Sequence, residues 1–251
     1  MKMKPIQSLS ILVAALLATG VAAQSQTTGY FNPKGTANLG EPSPAPLNLS
    51  LNPAPLHGLK PAFQQPVTGG LVVNTDAREE VRSFYNGIFS ASENIPQNST
   101  ADASSCFPGH NSDAFQNAEL LRINWYRAMA GMPANIVLNP IDDWGSQQMA
   151  VIISANNTLN HNPPPTYSCY NTNAAAYGHG NQAIGFDGAD ATTGYISDFG
   201  AGNSEVGHRR WILYPEETVM GVGDVAGSSA NSTRAGRSFS IRFGLPDRSA
   251  S

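Results

Sequence analysis

The chain has 251 residues, of which 13% are charged, with 14 Lys and Arg against 18 Asp and Glu. A formal net charge of −4 gives no electrostatic reason to seek nucleic acid or an anionic membrane surface. So sparse a charge leaves Asn, Ser, Thr and Gly to cover the surface.

The N-terminus has the composition of a secretory leader. Lys2 and Lys4 are its charged region, Ile11 to Ala18 its apolar region, and Val21-Ala22-Ala23 a small-residue cleavage site. Residues 1–23 are therefore expected to be a signal peptide cut after Ala23. The apolar run is too short for a membrane span, and no second run approaches that length, so the mature chain is expected to be soluble and secreted, or periplasmic. Removing Lys2 and Lys4 leaves 12 basic against 18 acidic residues, a balance of −6. Cys106 and Cys169 are the only cysteines, and in an oxidising compartment they are expected to form one disulfide, two free thiols being the alternative.

Residues 24–75 are rich in Pro, Asn, Gly and Ser without an apolar period, and read as a semi-extended arm or linker that packs few apolar groups. Residues 76–112 read as a helical N-terminal extension: Thr75-Asp76 is the expected cap of a helix to about Ser90, with Val81, Phe84, Tyr85, Ile88 and Phe89 on one face. The main domain is expected over residues 113–245. Asp113 caps a helix to about Ala130 whose apolar stripe is Phe115, Ala118, Leu121, Trp125 and Met129, with Gly131 and Pro133 as its stop. Asn139-Pro140 opens a third helix to about Asn156, with Ile141, Trp144, Met149, Ile152 and Ile153 as its apolar face.

Asn171 to Asp190 reads as loop with a short strand near Ala183 to Phe186, followed by a short helix from Thr192 to Phe199. Val219 to Val225 and Ser238 to Phe243 alternate as strands and are expected to pair. Helices before strands predict an α+β or layered domain of single-domain size.

Several enzyme signatures are absent: a His-Glu-x-x-His helix, a Gly-x-Ser-x-Gly elbow, a phosphate-binding loop, a dinucleotide glycine run and Cys-x-x-Cys. The densest cluster of chemically able residues is Gly202 to Pro215, around His208, Arg209, Arg210 and Trp211. His161 lies at the end of the third helix, and Asp198 could add a carboxylate. Two histidines and one aspartate make a minimal open metal site, which still lacks ligands for a closed one. The alternative is that these histidines are hydrogen-bonded structural residues. Arg209 and Arg210 could clamp an anion or pair with Glu205, Asp198 or Glu216. His179 reads as a solvated loop residue.

These motifs, in order, resemble the CAP superfamily, the SCP/Tpx/antigen-5/pathogenesis-related family, and its secreted bacterial members in particular. Leu121 to Pro133, with its Asn and Arg among apolar residues, is similar to the family's first-helix motif. Leu159-Asn160-His161 is similar to the segment presenting the first cleft histidine. Gly207-His208-Arg209, with Trp211 and Pro215, is similar to the motif carrying the second, and Val219 to Val225 to the strand that follows. The resemblance implies a three-layer α-β-α sandwich and a cleft of two histidines and two acidic residues, which in some members holds a divalent metal such as zinc. His161 and His208 match, and would be the metal ligands. Tyr195-Ile-Ser-Asp198 offers a shorter acid where the family has Trp-x-x-Glu. Gly180-Asn181 corresponds to Gly-Glu-Asn with the glutamate lost, which lowers both ligand count and charge.

Because the family has no single catalytic mechanism, the expected function is binding of an extracellular ligand (lipid, envelope polymer or protein) through a cleft at His161, Asp198 and His208. A metal-assisted hydrolase of extracellular or envelope polymer is the alternative, with Glu205 or Asp198 as base. A structural or adhesive surface protein is the third reading.

Overall fold

A computed structural model describes residues 39–40, 70–199, 205–226 and the backbone of 238–243. The expected leader and all of the expected arm save 39–40 and 70–75 lie outside the described residues. Within them are helices α1 (Arg78–Phe84), α2 (Asp113–Met129), α3 (Pro140–Asn156), α4 (Thr172–Ala175), α5 (Gly188–Ser197) and α6 (Gly207–Ile212), and strands β1 (Val137–Leu138), β2 (Asn181–Ile184), β3 (Val219–Val225) and β4 (Ser238–Phe243). The protein is α+β.

The strands form a four-stranded sheet in the order β1-β3-β4-β2. The β1–β3 pair is parallel, while β4 runs antiparallel to both β3 and β2. The expected pairing of 219–225 with 238–243 is present, in the register Val222 opposite Ile241. β1 and α4 carry no strong sequence signal and were not expected. Strand β2 starts two residues earlier than predicted and α5 four residues earlier.

Helix α3 lies directly on β3. A Cβ at Gly221 would sit 2.2 Å from the Asp142 carbonyl carbon, and one at Gly223 2.2 Å from the Gln147 amide nitrogen, so glycine is needed for the two backbones to approach. Polar groups fill the seam. The Val222 amide donates to Asp143 Oδ1 (2.9 Å), the Asp224 amide to Gln147 Oε1 (3.0 Å), and Ser146 Oγ to the Gly221 carbonyl (3.2 Å). This contact corrects the predicted apolar face: Ile141 and Trp144 are 73% and 51% exposed, because the turn that meets β3 is Gly145-Ser146-Gln147. Asn139 caps α3 as expected, accepting from the Ile141 amide.

Helix α2 is capped by Ser112 rather than Asp113; its side chain accepts from the Phe115 amide. Phe115 and Ala118 are buried as predicted, but Leu121, Trp125 and Met129 are only half-buried. The deep face instead carries Glu119, Arg122, Ile123, Asn124 and Arg127. Arg127 is fully buried and donates to four carbonyls, those of Pro133, Ile212, Tyr214 and Glu217, at 2.7–3.1 Å. Burial lowers its pKa to about 10, so it keeps its charge near neutrality. Asn124 exchanges two hydrogen bonds with the backbone of Ile136.

The predicted first helix begins after Ala77, with no side-chain cap at Thr75 or Asp76, and continues past α1 as a π-helical turn over Tyr85–Phe89 and a 3₁₀ turn over Ser90–Ser92. Phe84 stacks on Trp125 of α2, and Tyr85 and Phe89 meet its ring edge-on. The Arg122 guanidinium lies 3.6 Å over the Phe89 ring and donates to Ser92 and Thr193, tying this region to α5. Cys106 and Cys169 are bonded, joining the 101–107 turn to the loop after α3 across 63 residues. Among the described residues no helix is long and apolar enough to cross a membrane.

Candidate functional site

His161 stands on the loop that follows α3, which ends when Asn157 enters the left-handed region (φ 46°). Its Nδ1 donates to the Gly178 carbonyl at 2.6 Å. Gln182 of β2 fastens the two sides of this loop. Its Nε2 donates to the carbonyls of Asn160 and Gly178 at 3.1 and 2.7 Å, and its Oε1 accepts from the Asn160 amide at 2.9 Å. His161 is half-buried, and His179 beside this loop is exposed.

His208 is the second residue of α6 and is fully buried. The helix starts after Val206, a β-branched residue at φ 50°, where left-handed backbone costs about 1–3 kcal/mol. Asp198 lies at the end of α5, also left-handed (φ 48°), a conformation aspartate tolerates. That turn aims its carboxylate at α6: Oδ1 is 2.9 Å from His208 Nδ1, and Oδ2 accepts from the Arg209 amide at 3.1 Å. Tyr195, one turn back on α5, stacks on the His208 ring with centroids 5.5 Å apart. Asn181 donates to the His208 carbonyl at 3.1 Å.

The second ring nitrogen of His208, Nε2, lies 3.1 Å from the backbone carbonyl of Leu39. Leu39 belongs to the stretch expected to pack few apolar groups, yet it is only 2% exposed. For this residue the expectation is corrected: one apolar side chain followed by glycine is enough to enter a core without any periodicity to announce it.

Desolvation pushes the His208 pKa below its ordinary value. The hydrogen bond and charge of Asp198 and the Leu39 carbonyl oppose that shift, and the charge of His161 adds to it. The net direction favours neutral imidazole. Only the imidazolium can donate to both acceptors at once; the neutral ring donates to one of them, to Asp198 through Nδ1 or to Leu39 through Nε2, according to its tautomer.

The structure thus brings Asp198 and His208 into contact and sets His161 within electrostatic reach of them. Arg209 turns away from any anion clamp. Its guanidinium donates to the Ile196 and Ser197 carbonyls at the end of α5. Glu205 is exposed.

A divalent ion such as zinc needs open imidazole nitrogens and further ligands. In this arrangement both His208 ring nitrogens face protein acceptors, and Asn181 supplies no charge. Among the described residues no group of three or more His, Cys, Asp and Glu side chains could hold a metal ion. The residues as placed do not fit the metal that the resemblance implies.

Sequence reasoning missed Leu39, Gln182 and Arg127 as supports of the site. It also missed a buried acid pair behind it. Neither carboxyl oxygen of Glu119 has a hydrogen-bond partner among the described residues, and burial followed by the charge of Asp224 pushes its pKa well up. Asp224 is likewise raised by burial, although its Oδ1 accepts from the Gly188 amide at 2.7 Å. No apolar pattern marks such residues; the only sequence signal was the Asn and Arg of the first-helix motif.

Residues 120–236 match the model of the CAP family, described as the cysteine-rich secretory protein family, a match that supports a CAP superfamily domain there. No curated protein and no solved structure matches the chain.

Proposed function

We propose that this is an exported CAP-domain protein that binds an extracellular ligand, a lipid, envelope polymer or protein, through a cleft formed by His161, Asp198 and His208. The proposed organisation is a leader over 1–23, an arm over 24–75, a helical extension over 76–112 and a three-layer α-β-α domain over 113–245. The observation that carries the reading is the buried Asp198–His208 pair, 2.9 Å apart, held at the meeting of two short helices. A buried, hydrogen-bonded ionisable pair is costly to build and marks a site more often than a surface pair does. Binding is preferred over metal-assisted hydrolysis because His208 offers no ring nitrogen to an ion in this arrangement.

The test is co-sedimentation of the full chain with sterol-containing phosphatidylcholine vesicles and with insoluble peptidoglycan. The reading expects retention on one of the two, reduced at least tenfold in His161→Ala. Retention that His161→Ala leaves unchanged would remove the cleft from the function.

A further inference from the structure

We propose that the cleft over His208 is a site for an extended peptide strand that delivers a main-chain carbonyl to Nε2, and that the chain's own Leu39–Gly40 fills it. This rests on the cleft reading above and names the chemical class of its ligand.

Three contacts place the dipeptide. The Leu39 carbonyl oxygen lies 3.1 Å from His208 Nε2. The Leu39 side chain is 2% exposed, and its Cδ2 lies 3.5 Å from where a Cβ on Gly194 would stand, so a methyl covers the smooth flank of α5 one turn before Asp198. Gly40 closes against Leu159, two residues before His161; a Cβ at Gly40 would sit 2.8 Å from Leu159 Cδ1. The dipeptide therefore touches both sides of the cleft, the His208 side through Leu39 and the His161 side through Gly40.

Gly40 also has φ +65°, a conformation that other residues rarely adopt. The positive φ favours glycine there, and a Cβ would also press on Leu159, whose side chain would have to give. These features give the strand a readable code: a carbonyl for the imidazole, a leucine for the flank of α5, and a glycine where the chain turns against Leu159. A main-chain acceptor with apolar side-chain anchoring is the chemistry by which grooves take extended peptides. Because the occupant is tethered, its effective concentration is high, and a peptide in trans competes poorly until the tethered copy is displaced.

The experiment uses the full chain and a fluorescent acetyl-Ala-Asn-Leu-Gly-Glu-Pro-amide peptide, the sequence of residues 37–42. In the unaltered protein, nuclear Overhauser contacts between Leu39–Gly40 and the His208 ring are expected; their absence overturns the proposal without any variant. Gly40→Val, which places a β-branched side chain at positive φ against Leu159, is expected to eject the tethered copy. It should bind the peptide at least tenfold more tightly than the unaltered chain does, and Leu39→Asp should behave in the same way. Folded variants that bind the peptide no better than the unaltered chain overturn the proposal. Refusal of the peptide alongside His161-dependent retention on vesicles or peptidoglycan would remove the peptide class and leave the cleft reading standing; loss of both removes the reading itself.

Discussion

His161 stands on a loop and is half-exposed, whereas His208 stands in a helix and is sealed from solvent. The first is positioned by local chain. Its ring bonds the Gly178 carbonyl, and Gln182 laces that loop to the strand beside it. The second is positioned by long-range contacts. Asp198 comes from another helix, Leu39 from far upstream, and α6 itself is docked by Arg127 of α2. One site is thus built from two kinds of support. The loop side can adjust to a ligand at small cost. The helix side cannot move without breaking a buried network.

That contrast predicts where damage is greatest. Arg127→Met should strike hardest, because four carbonyls lose their donor, three at the end of α6 and in the turn after it and one, that of Pro133, just after α2. At about 1–3 kcal/mol for each orphaned buried group, with partial rescue by water, we expect a loss of about 5 kcal/mol in denaturant-induced unfolding. Wild-type-like stability would show that α6 is held by something else. Cys169→Ser opens a 63-residue loop, and the chain-entropy relation gives a loss of about 4 kcal/mol, read as a lowered melting temperature in the unreduced protein. An unchanged melting temperature would deny the bridge its structural role.

Gln182→Ala should cost less, about 2 kcal/mol, since Asn160 is half-buried and can be rehydrated and the Gly178 carbonyl keeps His161 as a donor. It should loosen the His161 loop, seen as faster amide exchange around Asn160, while leaving exchange in α6 unchanged. Equal loosening in α6 would erase the distinction between the two supports.

The smallest effect concerns the α3–β3 seam. Burial raises the Asp143 pKa to about 6, above its ordinary 3.8, although the Val222 amide bonds it. Between those values the folded state holds a proton that the unfolded state has lost. This stabilising contribution is present at low pH and is lost as pH rises through about 6. Asp143→Asn keeps the Oδ1 acceptor and removes the charge. Discounted for partial exposure, it should stabilise by about 1 kcal/mol at pH 8 and by nothing measurable at pH 4. A gain of equal size at both pH values would contradict the assignment.

Much of the scaffold was legible. Asn139-Pro140 announced α3, the alternation of 219–225 and 238–243 announced their pairing, and two cysteines behind an expected leader announced their bond. What periodicity misread were the faces of α2 and α3. Their contacts with the rest of the domain are made by glycine, serine, glutamine, asparagine and arginine, so the apolar residues Ile141 and Trp144 were left outside. The site was half legible. Asp198 and His208 stood in recognisable segments, but their 2.9 Å contact depends on the left-handed turn at Asp198, which sequence does not announce. Leu39 was illegible because a single leucine in a Pro-rich stretch carries no pattern, and its partner lies 169 residues away.

The most direct test of the account is nitrogen-15 NMR of the histidines in the full chain across pH. Desolvation should make His208 titrate below its ordinary value of 6.5. Because the folded pKa is depressed, the unfolded state binds more protons below 6.5, and His208 should lower stability progressively as pH falls from there toward its folded pKa. A His208 that titrates at or above 6.5 would contradict the buried site.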